Sequence, residues 1–107
     1  MSLDVYLMET KPTEVYSANI THNLGKMAKE AGIYEYLWRP EELGITKASE
    51  LIKPLTDGYE LLVNDPEKFK QYDSPNGWGK YEHFLPFVKQ YIDACFANPY
   101  AEVKVSR

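Results

Sequence analysis

The chain has 107 residues, with 12 Lys and Arg against 16 Asp and Glu, a net charge of −4 and a pI near 5.1. That length supports one domain, 1–107, with one core. The acidic balance argues against binding a nucleic acid polymer through its phosphates, which needs a basic face. The single cysteine, Cys95, excludes an internal disulfide and a cysteine-based zinc site. No apolar run approaches the roughly 20 residues of a membrane span. The first residues have no basic stretch and no long apolar one, so no secretory signal is read and a cytoplasmic protein is expected. Aromatic residues make up 14% of the chain, nine of them Tyr, a residue type that suits half-buried core positions and contact surfaces alike.

Leu3, Val5 and Leu7 alternate with Asp4, Tyr6 and Met8, which predicts a half-buried strand. Glu9–Thr13 reads as a turn and Glu14–Ser17 as a short second strand, completing a hairpin. Ile20, Leu24, Met27, Ala28 and Ala31 then form one apolar stripe at helical spacing, with Asn19 or Thr21 as cap and Gly32 at the end. Ile33–Trp38 reads as a short helix or ordered turn. Pro40–Gly44 reads as one helical turn with proline first and glycine last.

A second long helix is expected from about Lys47 to Val63, capped by Thr46, with a kink or break at Pro54. Asp65 caps a further turn through Lys68. Tyr72–Gly79 is the longest loop. The third helix carries Tyr81, Phe84, Leu85, Val88, Ile92, Cys95 and Phe96 on one stripe, its regular part starting near Phe84 because of Pro86. Asn98-Pro99 stops it, and Ala101, Val103 and Val105 alternate in a terminal strand that is expected to pair with the first. The pattern is α+β: a small two- or three-stranded antiparallel sheet packed with three main helices. Tyr6 and Tyr16 are expected on a less covered sheet face, which would suit a homodimer contact.

Three polar and aromatic segments stand out. The first, Tyr16–Gly25, puts Asn19, Thr21, His22 and Asn23 at the expected opening of the first helix, where backbone N–H groups lack partners. His22 lies off the apolar stripe, and the helix dipole there disfavours a charged imidazole. Gly25 would leave a notch beside it; alternatively, Gly25 only makes room for a crossing strand and His22 is an ordinary exposed side chain. In the second, Trp38-Arg39 offers an indole face and a guanidinium fork that matches carboxylate or phosphate. The alternative is that Trp38 closes the core and Arg39 pairs with Glu41 or Glu42. The third, Asn76–Tyr81, holds Trp78 between two glycines, with Lys80 and Tyr81 following, and reads as a lid or stacking platform or as a turn in which Trp78 plugs the end of the core.

No complete catalytic or metal motif is present. His22 and His83 have neither metal-helix spacing nor a third ligand. Cys95 falls on an apolar stripe, as an inert core thiol would. Glu41-Glu42 and Asp65/Glu67 sit where helix capping explains them. No glycine-rich loop has phosphate-loop spacing. No metal or cofactor is therefore expected.

Ser17–Leu24, Leu37–Glu42, Asn76–Gly79 and Val103–Arg107 resemble segments of a family of small uncharacterised proteins found in bacterial genomes and in tailed phages or prophages. The likeness runs from Met1 to the end of the chain. It implies a compact accessory protein, carried by a mobile element, and it transfers no catalytic residue.

The function read from these features is a non-enzymatic binding protein for a small, planar, anionic ligand such as a nucleotide-derived signal. Asn19, His22 and Asn23 would supply hydrogen bonds, Arg39 and Lys80 charge, and Trp38, Trp78 and Tyr81 stacking surface. With the phage likeness, sequestration of a host defence signal is one such role. Two rival readings stand beside it: an interaction module or inhibitor that docks through a tyrosine-rich face, and a small enzyme using His22 as a general base.

Overall fold

Leu3, Val5 and Leu7 are fully buried and alternate with half-buried Asp4, Tyr6 and Met8. This is the period of two of a strand with one covered face. In a computed structural model, which describes residues 2–10 and 13–107, these residues form β1 (Ser2–Thr10). β1 is the middle strand of a three-stranded sheet and pairs antiparallel with β2 (Thr13–Thr21) on one side and β3 (Glu102–Ser106) on the other. Lys11 and Pro12, within the expected hairpin turn, lie outside the described residues.

β2 is longer than the expected Glu14–Ser17. Asn19, Ile20 and Thr21 belong to the strand instead of opening a helix. The register explains this. Leu3 faces Ile20, which buries Ile20 on the inner face, while Asp4 faces Asn19 on the outer one. Helical structure starts only after Thr21. Its hydroxyl accepts the N–H of Asn23 at 3.2 Å and caps a 3-10 turn, His22–Leu24, which runs into α1 (Gly25–Glu30). Gly32, at φ 77°, ends this segment in the left-handed region.

α2 (Tyr34–Trp38) and a 3-10 turn, Pro40–Leu43, follow as expected. α3 (Ser49–Asn64) starts later than expected and runs unbroken through Pro54. Thr46 does not cap it. The Glu50 carboxylate reaches back to the N–H groups of Lys47 (3.0 Å) and Thr46 (3.3 Å), and these two bonds hold it below the ordinary carboxylate range. The Thr46 carbonyl accepts from Val103 of β3. α4 (Pro66–Lys70) is capped by Asp65, and α5 (Tyr81–Ala97) starts at Tyr81 rather than Phe84, again unbroken by its proline.

The helices bury the inner sheet face. α3 lies along α5, and α5 packs on β2. Leu24, Met27, Ala28, Leu51, Leu55, Leu62, Phe84, Val88 and Cys95 are buried as the stripes require, whereas Phe96 is 68% exposed. Tyr16 points inward and stacks on Tyr91 with ring centroids 5.9 Å apart, so it does not share the outer face with Tyr6. The expected Tyr6/Tyr16 dimer surface is therefore not formed.

Two core positions yield predictions. Gly58, in the middle of α3, is buried against Ile33, and a Cβ there would fall within the van der Waals radius of Ile33 Cγ2 and 3.2 Å from the Ala31 carbonyl. Gly58→Ala gains about 1 kcal/mol of helix propensity but overpacks a fixed contact, for which about 1–3 kcal/mol is typical. Urea unfolding is expected to show a net loss. The fully buried Tyr91 hydroxyl has no hydrogen-bond partner among the described residues, and burial pushes its ionisation upward. An orphan hydroxyl costs about 1–3 kcal/mol, so Tyr91→Phe is expected to hold or raise the unfolding midpoint. A clear drop would reveal a partner for the hydroxyl.

Candidate ligand-binding cleft

The end of β2, the 3-10 turn after it and the loop before α5 enclose a cleft of about 940 Å³. One wall is Asn19, Thr21, His22 and Asn23, with Ser2 beside Asn19. The facing wall is Asn76–Gly79, and His83 and Phe87 of α5 close the inner side. This volume is in the range of small-molecule sites.

The loop wall is built by short-range polar bonds. Asn76 Oδ1 accepts from the Ser74 hydroxyl (2.6 Å) and from the Trp78 N–H (2.9 Å). The Ser74 N–H reaches the Gly79 carbonyl (2.9 Å), and Gly77 and Gly79 take positive φ values of 80° and 111°. Asp73 accepts the N–H of Tyr81 at 2.7 Å, joining the loop to the first turn of α5. The two walls are then clamped together: Asn23 Nδ2 donates to the Trp78 carbonyl at 2.7 Å, and Gly79 lies directly against Asn23 and Thr21. The clamp holds the Trp78 backbone while its indole stays 72% exposed.

His22 is fixed from behind. Trp38 Nε1–H donates to His22 Nδ1 at 2.7 Å. Trp38 is itself buried, stacked on Tyr34 at 5.1 Å, and its carbonyl accepts from Arg107 at 2.6 Å. A neutral imidazole that accepts at Nδ1 carries its proton on Nε2, so the cleft meets a donor. The general-base role would require the Trp38 bond to break.

The expected site residues separate into two groups. Asn19, His22, Asn23 and Trp78 line the cleft; Trp38, Arg39, Lys80 and Tyr81 do not. Trp38 is 2% exposed and offers His22 a bond, not a stacking face. Arg39 pairs with Glu42 at 3.0 Å, as the alternative reading held. Tyr81 is 7% exposed and its hydroxyl donates to the Leu62 carbonyl. Gly25 faces the Tyr34 ring and makes no notch beside His22. Ser2, His83 and Phe87 join the site unforeseen, and Asn76, from the third segment, joins it with a side chain given no role from the sequence. No Lys or Arg lines the cleft, so the expected charge carriers are missing from it.

The unused polar atoms follow from the bonds already made. Asn19 Nδ2 spends both hydrogens on Ser2 Oγ (2.9 Å) and Asp4 Oδ1 (2.6 Å), which leaves Oδ1 as an acceptor. Asn23 retains Oδ1 and one N–H, Asn76 retains its amide hydrogens, and His22 retains Nε2–H. Donors and acceptors are mixed, and no Lys, Arg, Asp or Glu is among the lining residues. Elsewhere, burial pushes the Cys95 thiol up to about 12, so it is no nucleophile, and no group of three metal-binding side chains occurs among the described residues. No helix among those residues is long and apolar enough to cross a membrane.

No protein-family model, no curated protein and no solved structure matches this chain.

Gly79→Ala tests the clamp. A Cβ at that position would sit 2.9 Å from Asn23 Cβ, on a residue at φ 111°. Such strain amounts to about 1–3 kcal/mol. The variant is expected to melt earlier and to show lower fluorescence anisotropy from a freed Trp78; unchanged values for both would mean that the loop is not held there.

Proposed function

We propose that this chain is a non-enzymatic binding protein whose cleft takes a small, planar, hydrogen-bonding molecule of nucleobase or nucleoside size. The observation that carries this reading is an exposed indole on one wall of a cleft of about 940 Å³ whose facing wall carries amide and imidazole groups with free hydrogen-bonding atoms. A flat π-face stacks on Trp78, and Asn19, His22, Asn23 and Asn76 serve its polar edge. The expectation of an anionic ligand gives way to an uncharged one, because the lining contains neither Lys nor Arg. A domain that holds such a molecule unchanged acts by sequestering or sensing it, and sequestration of a host signal suits the phage-associated likeness of the sequence.

Thermal-shift and calorimetric titration with nucleobases, nucleosides and nucleotides tests the proposal. Base–aromatic stacking contributes about 1–3 kcal/mol, so Trp78→Ala is expected to weaken binding about 5- to 150-fold. Arg39→Ala, outside the cleft, is expected to leave binding unchanged. The absence of any saturable response at millimolar ligand would sink the reading.

A further inference from the structure

We infer that the cleft reads its ligand through the main chain of Asn19, and that the ligand class is an uncharged heterocycle with a ring N–H beside a ring C=O, a cyclic amide. This rests on the binding reading above and names the chemistry of the molecule bound.

The direction of the Asn19 backbone follows from pairing parity. On β3, the N–H of Val103 bonds to the Thr46 carbonyl and the carbonyl of Ala101 accepts from Ala48, so both residues turn their backbone away from β1. Val103 faces Leu7, and Val105 faces Val5. In an antiparallel ladder such non-bonded pairs turn the opposite residue's groups to the other side. Leu7, Val5 and Leu3 therefore direct their N–H and C=O toward β2, where they meet Tyr16, Ala18 and Ile20. The alternate residues Ser17, Asn19 and Thr21 direct theirs to the outer edge of β2. The Thr21 carbonyl closes the 3-10 turn that follows it, and no other element bonds to the backbone of Ser17 or Asn19 among the described residues.

The cleft lies along this open edge. Its lining takes Asn19 and Thr21 from one face of β2, and Ile20 with Phe87 of α5 from the other. An extended residue presents its N–H and C=O side by side on one edge. A cyclic amide presents the complementary acceptor and donor on adjacent ring atoms, and its flat face suits Trp78.

A full partner strand fits less well. Gly79 packs on Thr21 and Asn23, so the loop interrupts the edge just past Asn19 and leaves no room for a strand to continue along it. An anion is disfavoured too, because the Asn19 carbonyl would face it with no cation in the lining to compensate.

Isothermal titration calorimetry with uridine against 3-methyluridine, and inosine against 1-methylinosine, tests the inference. Methylation deletes the ring N–H and keeps the stacking face. Each parent is expected to bind at least about 10-fold tighter than its methyl derivative, in line with one lost hydrogen bond and one blocked carbonyl. Equal binding of parent and derivative would overturn the main-chain reading and leave the cleft proposal standing. No saturable heat from any of the four overturns the inference, and the wider nucleoside and nucleotide panel above then decides the cleft proposal. Heat from N-acetylalanine amide alone, an open-chain source of the same groups, overturns the heterocycle class.

A second arm uses the protein. Asn19→Pro removes an N–H that points away from β1, a position where an edge strand tolerates proline; Asn19→Ala removes the side chain and keeps the N–H. The parent-to-methyl ratio is expected to collapse in the first and persist in the second, and the reverse pattern would overturn the inference. Should circular dichroism show Asn19→Pro unfolded, the methyl series on the unaltered chain decides alone.

Discussion

Strand β1 has hydrogen-bonding partners on both edges, and the parity of that pairing propagates through the molecule. It sends Leu3, Val5 and Leu7 into the core and places Asp4, Tyr6 and Met8 on the outer face. It also makes both neighbours edge strands, a hazard that folds must manage. The two edges are handled differently. That of β3 is covered by Thr46–Ala48, whose backbone groups bond to Val103 and Ala101. That of β2 is paired with no further strand among the described residues. Instead, the loop ahead of α5 is drawn up beside its end, and the space between them is the cleft. The site is thus a consequence of how one sheet edge is closed.

That closure depends on small terms that act together. The Asn23–Trp78 bond is exposed, and such bonds contribute about 0.5–1.5 kcal/mol net. It suffices because the loop is already shaped by its own bonds through Asn76 and Asp73 and by glycines at positive φ, which lowers the entropy lost on docking. Gly79 contributes by lacking a side chain: it lets the backbone lie on Asn23 and Thr21. The cleft therefore has one wall in regular structure and one in a shaped loop, an arrangement common where recognition is done by loops on a rigid scaffold.

The sequence conveyed the architecture because most elements have a single plausible period. The α+β class, the three strands, the pairing of the terminal strand with the first and the glycine-ended turns all follow from local patterns. The failures fall where two patterns overlap. Ile20 satisfies a strand alternation with Ala18 and Tyr16 and a helical spacing to Leu24 and Met27. Only the cross-strand partner Leu3 decides between them, and that is a nonlocal fact. Assigning Asn19 to a helix cap followed from the same ambiguity; its side chain in fact ties Ser2 and Asp4 across the outer sheet face. Trp38 and Arg39 were legible as chemistry but not as direction: one turns inward to His22, the other sideways to Glu42. His83 shows the converse. Lacking ligand spacing it looked unremarkable, yet the fold brings it to the same cleft as His22 from 61 positions away.

The Trp38–His22 bond shapes what this cleft can do. Histidine is versatile because either nitrogen can give or take a proton. Here one nitrogen is occupied by a buried indole N–H that has no acceptor other than His22 among the described residues. Turning the ring would strand that donor inside the protein, at a cost of about 1–3 kcal/mol. The Trp38 bond therefore narrows His22 toward one tautomer and one orientation, with Nε2–H as its remaining donor. Fixed donors discriminate well among bound molecules, because a ligand that lacks the matching acceptor leaves a polar group unsatisfied. The same rigidity obstructs a base that must shed and regain its proton in each cycle. The arrangement behind His22 thus suits a fixed hydrogen-bond donor better than a proton-transfer group, in a cleft whose other polar side chains are amides, hydroxyls and the His83 imidazole.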